Sequence, residues 1–189
     1  MFAAALSFFP ACAAHAAEEV PRKAQACIVC HGADGNSADL AVPSLAGQPA
    51  QFISMQLFLF RQGDRKDPQM SPMAAILSNA DMNELAAYFA RQRSAAPSHK
   101  TAPENAAAGR RLAEQYHCVQ CHGPALLGLQ HIPRLAGQQF AYLKTQLGGF
   151  KAGTRADMDG NMTSAAQLLS EKDIEILADY LSGLTAPRD

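Results

Sequence analysis

The sequence contains the pentapeptide Cys-X-X-Cys-His twice, at residues 27–31 and 118–122. This pentapeptide is typical of the attachment of a c-type haem. Its two thiols can reach the two vinyl groups of one porphyrin, and the histidine that follows is then held under the iron as the proximal ligand. We therefore predict two haem c groups and a function in electron transfer. The predicted attachment residues are Cys27, Cys30, Cys118 and Cys121, and the predicted proximal ligands are His31 and His122.

A redox-active dithiol and a zinc site also use Cys-X-X-Cys. In zinc ribbons the two cysteine pairs usually lie about 15–20 residues apart, whereas Cys118 follows Cys27 by 91 residues. A thioredoxin-like dithiol would require a βαβ pattern, which the sequence does not show. The haem interpretation is favoured, and a colourless purified protein would favour its rivals.

The overall charge argues against a nucleic-acid partner. The 189 residues carry 16 Lys and Arg against 17 Asp and Glu, and neither half of the chain is polybasic. Proteins that bind DNA or RNA usually carry an excess of positive charge, and this chain has none. The charge therefore argues against nucleic acid as a partner.

Residues 1–17 resemble a secretion signal, with an apolar run followed by Ala14-His15-Ala16 as a small-X-small cleavage site. No Lys or Arg precedes the apolar run, which leaves open a start further upstream. Cleavage after this site would remove Cys12 and leave four cysteines, all of them in the two haem motifs. We expect export, and a periplasmic location.

The sequence contains an internal repeat, in which one module occurs twice. The segment Pro-X-Leu-Ala-Gly-Gln occurs at residues 43–48 and again 90 residues later at 133–138, and from residue 70 onward the offset is 92. Polar, proline-containing sequence separates the copies. We predict a first domain at 18–94, a linker at 95–105 and a second domain at 106–189.

Each copy is predicted to be helical, which makes the fold class all-α, a tandem duplication in which each domain wraps around one haem. A middle helix is predicted at residues 50–61 and again at 139–150. Ser78 with Asp81, and Ser170 with Asp173, predict capping boxes at the start of a closing helix in each copy.

The repeat also selects a candidate for the sixth iron ligand. Met70 and Met162 occupy the same register, each eight residues before the capping serine. The other methionines after the predicted cleavage site, Met55, Met73, Met82 and Met158, have no methionine counterpart. Flexible core filling is the alternative role. Histidine–methionine ligation raises the reduction potential of a cytochrome c.

Four further residues are candidates for contact with the proximal histidines or the haems. A backbone carbonyl at Pro43 or Pro133 could accept the Nδ1 proton of the proximal histidine, although a plain turn proline is an equal alternative. Arg65 and Arg155 could pair with haem propionates, with a solvated surface as the alternative. The histidines outside the motifs, His99, His117 and His131, are expected at the surface.

The chain resembles the di-haem class I cytochromes c of the cytochrome c4 family. The resemblance covers nearly all of residues 24–184 and rests on CHGADGNS, the paired P-X-L-A-G-Q segments, the G-X-R turns, and the methionine ahead of each closing helix. It implies two cytochrome c-like domains related by approximate twofold symmetry. It also implies haems near one another across the interface, and periplasmic electron transfer toward a terminal oxidase.

The first copy departs from the family pattern before its haem motif. The second copy has Gly109 and Tyr116 there, whereas the first has Glu18 and Gln25, with Pro21 interrupting the run. We therefore expect the opening helix of the first domain to be short or loosely packed.

Three functions remain open. The preferred one is a carrier, not an enzyme, between a membrane electron-donor complex and a terminal oxidase, with peripheral association with the membrane left open. The second is a cytochrome subunit of a periplasmic dehydrogenase, such as a flavin-containing sulfide dehydrogenase. The third is a di-haem peroxidase, which would need an iron with an open position.

Overall fold

Helices form almost all the regular structure of this chain. The computed structural model describes residues 20–185, and between them the only β interaction is an isolated bridge of Leu129 with Ile132. The all-α prediction is confirmed. After a 3-10 turn at Arg22–Ala24, the helices in chain order are α1 (Gln25–His31), α2 (Ala50–Gln62), α3 (Met70–Ala75), α4 (Asn79–Arg91), α5 (Pro103–Gln115), α6 (Cys118–His122), α7 (Phe140–Ala152), α8 (Asn161–Gln167) and α9 (Glu171–Ser182).

In the first repeat, α2 packs against both α3 and the closing helix α4. Leu85 and Phe89 of α4 are each 1 % exposed and lie at the centre of the core, with Ile53 and Leu57 of α2 beside them. The apolar side chains four residues apart face one partner because they fall on one side of a helix. This core lies next to the first Cys-X-X-Cys-His motif.

In the second repeat, the closing helix α9 packs against α5 and α7, and α8 packs against α7. Ile174 and Leu177 of α9 are each 1 % exposed. Gly109 of α5 lies directly against Tyr180, since a Cβ built on it would be 2.2 Å from Tyr180 Cβ. Only glycine allows the two helices to cross this closely.

Both predicted capping boxes are confirmed. Ser78 accepts a hydrogen bond from the backbone N–H of Asp81, and Asp81 accepts one from the backbone N–H of Ser78. Ser170 and Asp173 do the same at the start of α9. Each reciprocal pair satisfies N–H groups that the first turn of a helix leaves without partners. The middle helices also match their predicted ranges to within about two residues.

The two opening segments differ, as expected from the sequence. The described part of the first repeat opens with a single 3-10 turn before α1, while the second repeat opens with the 13-residue helix α5. Glu18 lies outside the described residues. Helix α5 begins at Pro103, inside the segment 95–105 predicted as linker, because proline suits the first helical position, where no N–H partner is needed.

His99 is partly buried, with 27 % of its side chain exposed, and it makes specific contacts with its surroundings. Its ring stacks on Phe140 at 5.2 Å between centroids, and its Nε2 lies 2.6 Å from Asp179 Oδ1 in α9. Asp179 also accepts hydrogen bonds from Ala102 N and Asn105 Nδ2. The chain between the repeats is thus attached to the closing helix of the second one. His117 and His131 are exposed, as expected.

Candidate functional site

The two Cys-X-X-Cys-His motifs adopt the same local structure. Each forms a short helix, α1 or α6, in which the first cysteine is half-buried and the second is exposed. None of the four cysteines forms a disulfide. Burial raises the pKa of the Cys27 and Cys118 thiols, and the hydrogen bond at the backbone only partly offsets it. A raised pKa is the opposite of what a reactive dithiol needs.

The proximal-ligand candidates are buried and oriented by a backbone carbonyl. His31 is 5 % exposed and its Nδ1 lies 2.8 Å from the Pro43 carbonyl oxygen. His122 is 3 % exposed and its Nδ1 lies 2.8 Å from the Pro133 carbonyl oxygen. A carbonyl can only accept, so Nδ1 carries the proton and the lone pair is on Nε2. The expectation that these prolines orient the imidazoles is confirmed.

The electrostatics of both histidines suit a metal ligand. Burial lowers the pKa of His31 and of His122 below the ordinary value, and the hydrogen bond to the proline carbonyl offsets only part of that effect. The rings are therefore neutral at physiological pH. A neutral imidazole with Nε2 free is the form that binds iron.

Met70 is the first residue of the short helix α3, and Met162 is the second residue of the short helix α8. Met70 is partly buried and packs against the core of the first repeat. A carboxylate fixes the backbone of each methionine: Met70 N donates to Asp67 Oδ1 at 2.8 Å, and Met162 N donates to Asp157 Oδ2 at 2.8 Å. The two predicted sixth ligands thus have the same local support, and their role stays a prediction.

The competing methionines have different surroundings. Met73 is 39 % exposed and Met158 is 69 % exposed, while Met82 is 2 % exposed in the core of the first repeat. None of these three methionines is matched by a methionine at the corresponding position of the other repeat. The structure gives no reason to replace Met70 or Met162 as candidates.

Arg65 and Arg155 meet at the interface between the repeats. Arg65 donates to Gln56, Tyr142 and Gln146, and Arg155 donates to Gln146 and Gln56. Burial lowers the pKa of Arg155 to about 10. Burial raises the pKa of the Tyr142 phenol, but the two neighbouring guanidiniums outweigh it and bring the value below the ordinary one.

Asp157 acts electrostatically on Arg155, but neither residue of this arginine cluster forms an ion pair with a carboxylate in the described part of the chain. Arg155 Nε is buried with no hydrogen-bond partner within residues 20–185. Two partly buried cations and one buried N–H donor without a partner favour an anionic group that the polypeptide itself does not supply. Haem propionates are such a group, so these residues fit the cofactor.

The rival chemistry of the cysteines finds no support. In the described part of the chain, no three residues among His, Cys, Asp and Glu come together in a way that could hold a metal ion. The two motifs therefore do not combine into one zinc site, which would need four such ligands.

None of the helices between residues 20 and 185 is both long and apolar enough to cross a bilayer. The predicted signal at 1–17, with Cys12, lies outside the described residues.

Sequence reasoning missed four residues around the site. Asp67 and Asp157 support the methionine helices, and Gln48 and Gln138 connect the two repeats, as described below. The signal was present, because both pairs recur at the 90-residue offset that the neighbouring segments follow. Their partners, however, depend on how the chain folds back and on how the two domains pack.

Comparison with known proteins agrees with this geometry. The Cytochrome c family model matches residues 19–92 and again 106–185. Cytochrome c4 of Pseudomonas aeruginosa is 37 % identical over 184 residues, covering 90 % of this chain and 91 % of that one. A protein of Thiomonas intermedia named thiosulfate dehydrogenase electron acceptor is 36 % identical over 176 residues, covering 86 % of this chain and 80 % of that one.

The crystal structure of reduced recombinant cytochrome c4 from Pseudomonas stutzeri superposes with a TM-score of 0.80 at 34 % identity, covering 86 % of this chain and 95 % of that one. The likeness extends over both repeats, so the tandem fold and the cofactor prediction are confirmed together. The chain therefore belongs to the cytochrome c family, in its di-haem cytochrome c4 branch, as an electron carrier with one covalent haem c in each of two domains.

Proposed function

We propose that this protein is a periplasmic carrier that passes single electrons toward a terminal oxidase. The first haem is attached through Cys27 and Cys30, with His31 and Met70 as the iron ligands. The second is attached through Cys118 and Cys121, with His122 and Met162 as the iron ligands. The observation that carries the proposal is the identical, buried, carbonyl-oriented histidine in both repeats.

Six-coordinate iron suits a carrier better than an enzyme. A haem iron with histidine and methionine ligands supplies reversible one-electron chemistry at a raised potential and leaves no position for a substrate. The protein contributes the ligands, their orientation and a buried setting. Carbon monoxide binding to the reduced native protein would instead support the peroxidase alternative.

We also assign the arginine cluster a role in anchoring the cofactor. Arg65 and Arg155 each stack on a phenylalanine of their own repeat, at 4.4 Å from the Phe60 ring and 4.5 Å from the Phe150 ring. This stacking fixes the direction of the guanidiniums toward the interface. Guanidinium binds carboxylate in a bidentate fashion, which matches the propionate edge of a haem.

The ligand assignment is tested by intact mass and optical spectra of the exported protein. Two haem additions are expected, with a weak band at about 695 nm in the oxidised form that reports methionine–iron bonding. Met70→Ala and Met162→Ala should each remove about half of this band, and the double variant all of it. Met73→Ala and Met158→Ala are the matched controls and should leave it intact. A double variant that keeps the band would refute the assignment.

The electron-accepting partner is tested separately. Reduced protein should be reoxidised by membranes containing a terminal oxidase, and cyanide should block this reoxidation. The thiosulfate dehydrogenase electron acceptors among the relatives favour a second candidate, in which this chain accepts electrons from a periplasmic dehydrogenase. Reduction of both haems by thiosulfate in the presence of such an enzyme, with no reoxidation by the membranes, would favour that candidate.

The location is tested by cell fractionation. The haem-stained protein should appear in the periplasmic fraction, and its mass should correspond to a chain that starts near residue 17. A haem-stained product confined to the cytoplasm would contradict both the signal prediction and the periplasmic role.

A further inference from the structure

A pair of glutamines crosses the domain interface in a reciprocal arrangement. Gln138 of the second repeat accepts a hydrogen bond from Ser44 N at 2.8 Å and donates one to Ser44 O at 2.9 Å. Gln48 of the first repeat accepts from Arg134 N at 2.9 Å and donates to Arg134 O at 2.9 Å. All four residues are buried, with exposed fractions of 2–6 %.

These glutamines bond to the same peptide groups whose carbonyls bind the proximal histidines. The carbonyl of Pro43 and the N–H of Ser44 belong to one peptide group. Its oxygen accepts the Nδ1 proton of His31 at 2.8 Å, while its N–H donates to Gln138. In the second repeat the peptide group of Pro133 and Arg134 connects His122 with Gln48 in the same way.

Hydrogen bonds in series through one peptide group strengthen one another. When the peptide N–H donates to a glutamine oxygen, electron density moves to the carbonyl oxygen, which becomes a better acceptor. The histidine N–H then donates more strongly, and the imidazole becomes a more basic ligand. A more basic ligand stabilises Fe(III) relative to Fe(II) and so lowers the reduction potential.

We propose that Gln48 and Gln138 are cross-domain positioning residues, each of which strengthens the hydrogen bond of the proximal histidine in the opposite domain and so lowers the reduction potential of that domain's haem. The inference rests on the proposed histidine ligation. It adds that each haem is tuned by the domain that does not bind it.

The test uses Gln138→Met and Gln48→Met in the complete, haem-loaded protein, since methionine fills a similar volume without the hydrogen bonds. Gln138→Met should raise the potential of the first haem only, so that its ratio of reduced to oxidised form at a fixed potential increases about two- to fivefold. Gln48→Met should do the same to the second haem only. Redox titration followed by NMR, with the ligand methyl signals assigned through the Met70 and Met162 variants, separates the two haems.

The neighbouring residue provides a matched control. Gln139 also crosses the interface, with Nε2 donating to Ser37 O at 2.6 Å, but it does not touch the peptide group that binds His31. Gln139→Met should therefore leave both potentials unchanged. A shift of the same size in this variant, or a shift of both haems in either glutamine variant, would show general loosening of the interface and would overturn the proposal.

A measurement on the unmodified protein covers the case in which both variants fail to fold. In the fully reduced state, a through-hydrogen-bond NMR coupling is expected between Ser44 N and Gln138 Cδ, and its absence would overturn the proposal. Two haem additions and the methionine–iron band must first be present in the unmodified protein. If they are missing, the proposed function fails, and this is distinguishable from unchanged potentials in correctly assembled variants.

Discussion

Gly109 shows how one missing side chain sets the distance between two helices. A Cβ there would lie 2.2 Å from Tyr180 Cβ and 2.6 Å from Tyr180 Cγ, across the contact of α5 with α9. The helices would have to move apart, so we expect Gly109→Ala to destabilise the second domain by about 1–3 kcal/mol. Thermal unfolding followed by circular dichroism measures this change.

The control is Gly148→Ala in the interior of α7. Nothing lies within 4 Å of a Cβ built at Gly148, and the equivalent position in the first repeat is Phe58. Alanine there should stabilise the helix by about 0.5–1 kcal/mol. Equal destabilisation by the two variants would mean that the crossing of α5 and α9 does not require glycine.

The haem-site residues differ in how readily the sequence alone identifies them. His31 and its cysteines follow from the motif itself, and the Pro43 carbonyl could be proposed from its distance along the chain. Gln138 could not, because its partner Ser44 lies 94 residues away in the other repeat. The recurrence of glutamine at 48 and 138 marks these positions as a pair but does not show what either side chain contacts. Only the packing of the two domains reveals those contacts.

The capping serines are a test at the level of the closing helices. Ser78→Ala and Ser170→Ala each remove the acceptor of an N3 backbone N–H, which should cost about 1 kcal/mol in the domain concerned. Ser54→Ala is the control, because the Ser54 hydroxyl only bonds back to the Gln51 carbonyl within α2. Thermal unfolding that ranks Ser54→Ala with the capping variants would contradict this account of the helix starts.

Helix α8 depends on Asp157 for its first turn. Asp157 accepts hydrogen bonds from Met162 N, Thr163 N and Thr163 Oγ1, and these bonds outweigh the effect of burial and bring the pKa of Asp157 to about 2. Asp157→Ala should free this turn and weaken the methionine–iron band of the second haem. The oxidised optical spectrum measures the loss.

Asp159→Ala is the control for this effect. Asp159 bonds to Asn161 at the same turn and lies beside the Asp157 carboxylate, but it accepts no hydrogen bond from Met162. The band should persist in this variant. If both variants lose it equally, the turn as a whole, and not the Asp157 carboxylate, positions the ligand.

The helices, like the residues, differ in how well the sequence predicts them. Helices α4 and α9 are predictable because an apolar stripe and a capping box agree. Helix α3 has six residues and α8 has seven, too short for an amphipathic period to appear, and nucleation of such short helices is unfavourable in isolation. They form where aspartates and tertiary packing support them. The sequence therefore predicts the two methionines as ligands, but it does not predict the helices in which they lie.

The whole molecule should depend on its haems for stability. Each repeat has about 80 residues, and an apolar core of that size is marginal by itself. Cys27→Ala combined with Cys30→Ala should remove the first haem and with it much of the helix content and cooperative unfolding of the first domain. Circular dichroism with thermal melting measures this, and the matching pair at Cys118 and Cys121 serves as the reciprocal control. Full cooperative melting without haem would contradict the expectation.

The interface between the repeats is not fully symmetric, although the two repeats share one sequence pattern. The two glutamine bridges are nearly symmetric, but the residue they bind is Ser44 in one repeat and Arg134 in the other. Arg134 is 4 % exposed, and burial lowers its pKa to about 10. Its guanidinium donates to Ala46 O of the first repeat at 2.9 Å and also to Ala136 O, while its Nε is buried without a partner.

Arg134→Ser puts into the second repeat the residue that the first repeat has at this register. The buried Ala46 carbonyl then loses its donor, at a cost of about 1–3 kcal/mol, and the removed side chain leaves a cavity at the interface. Loss of a buried cation offsets part of this cost. We expect the native protein to unfold in one transition by scanning calorimetry, and the domains of Arg134→Ser to unfold in two separate transitions.

Arg111→Ser is the control, since Arg111 is exposed on α5 and far in sequence from the interface segment. It should leave the single transition unchanged. If Arg134→Ser also unfolds in one transition at the temperature of the native protein, the coupling between the domains comes from the other interface contacts, which include the glutamine bridges, the Gln139–Ser37 bond and the arginine cluster. The asymmetry between Ser44 and Arg134 would then have no role in holding the two haem domains together.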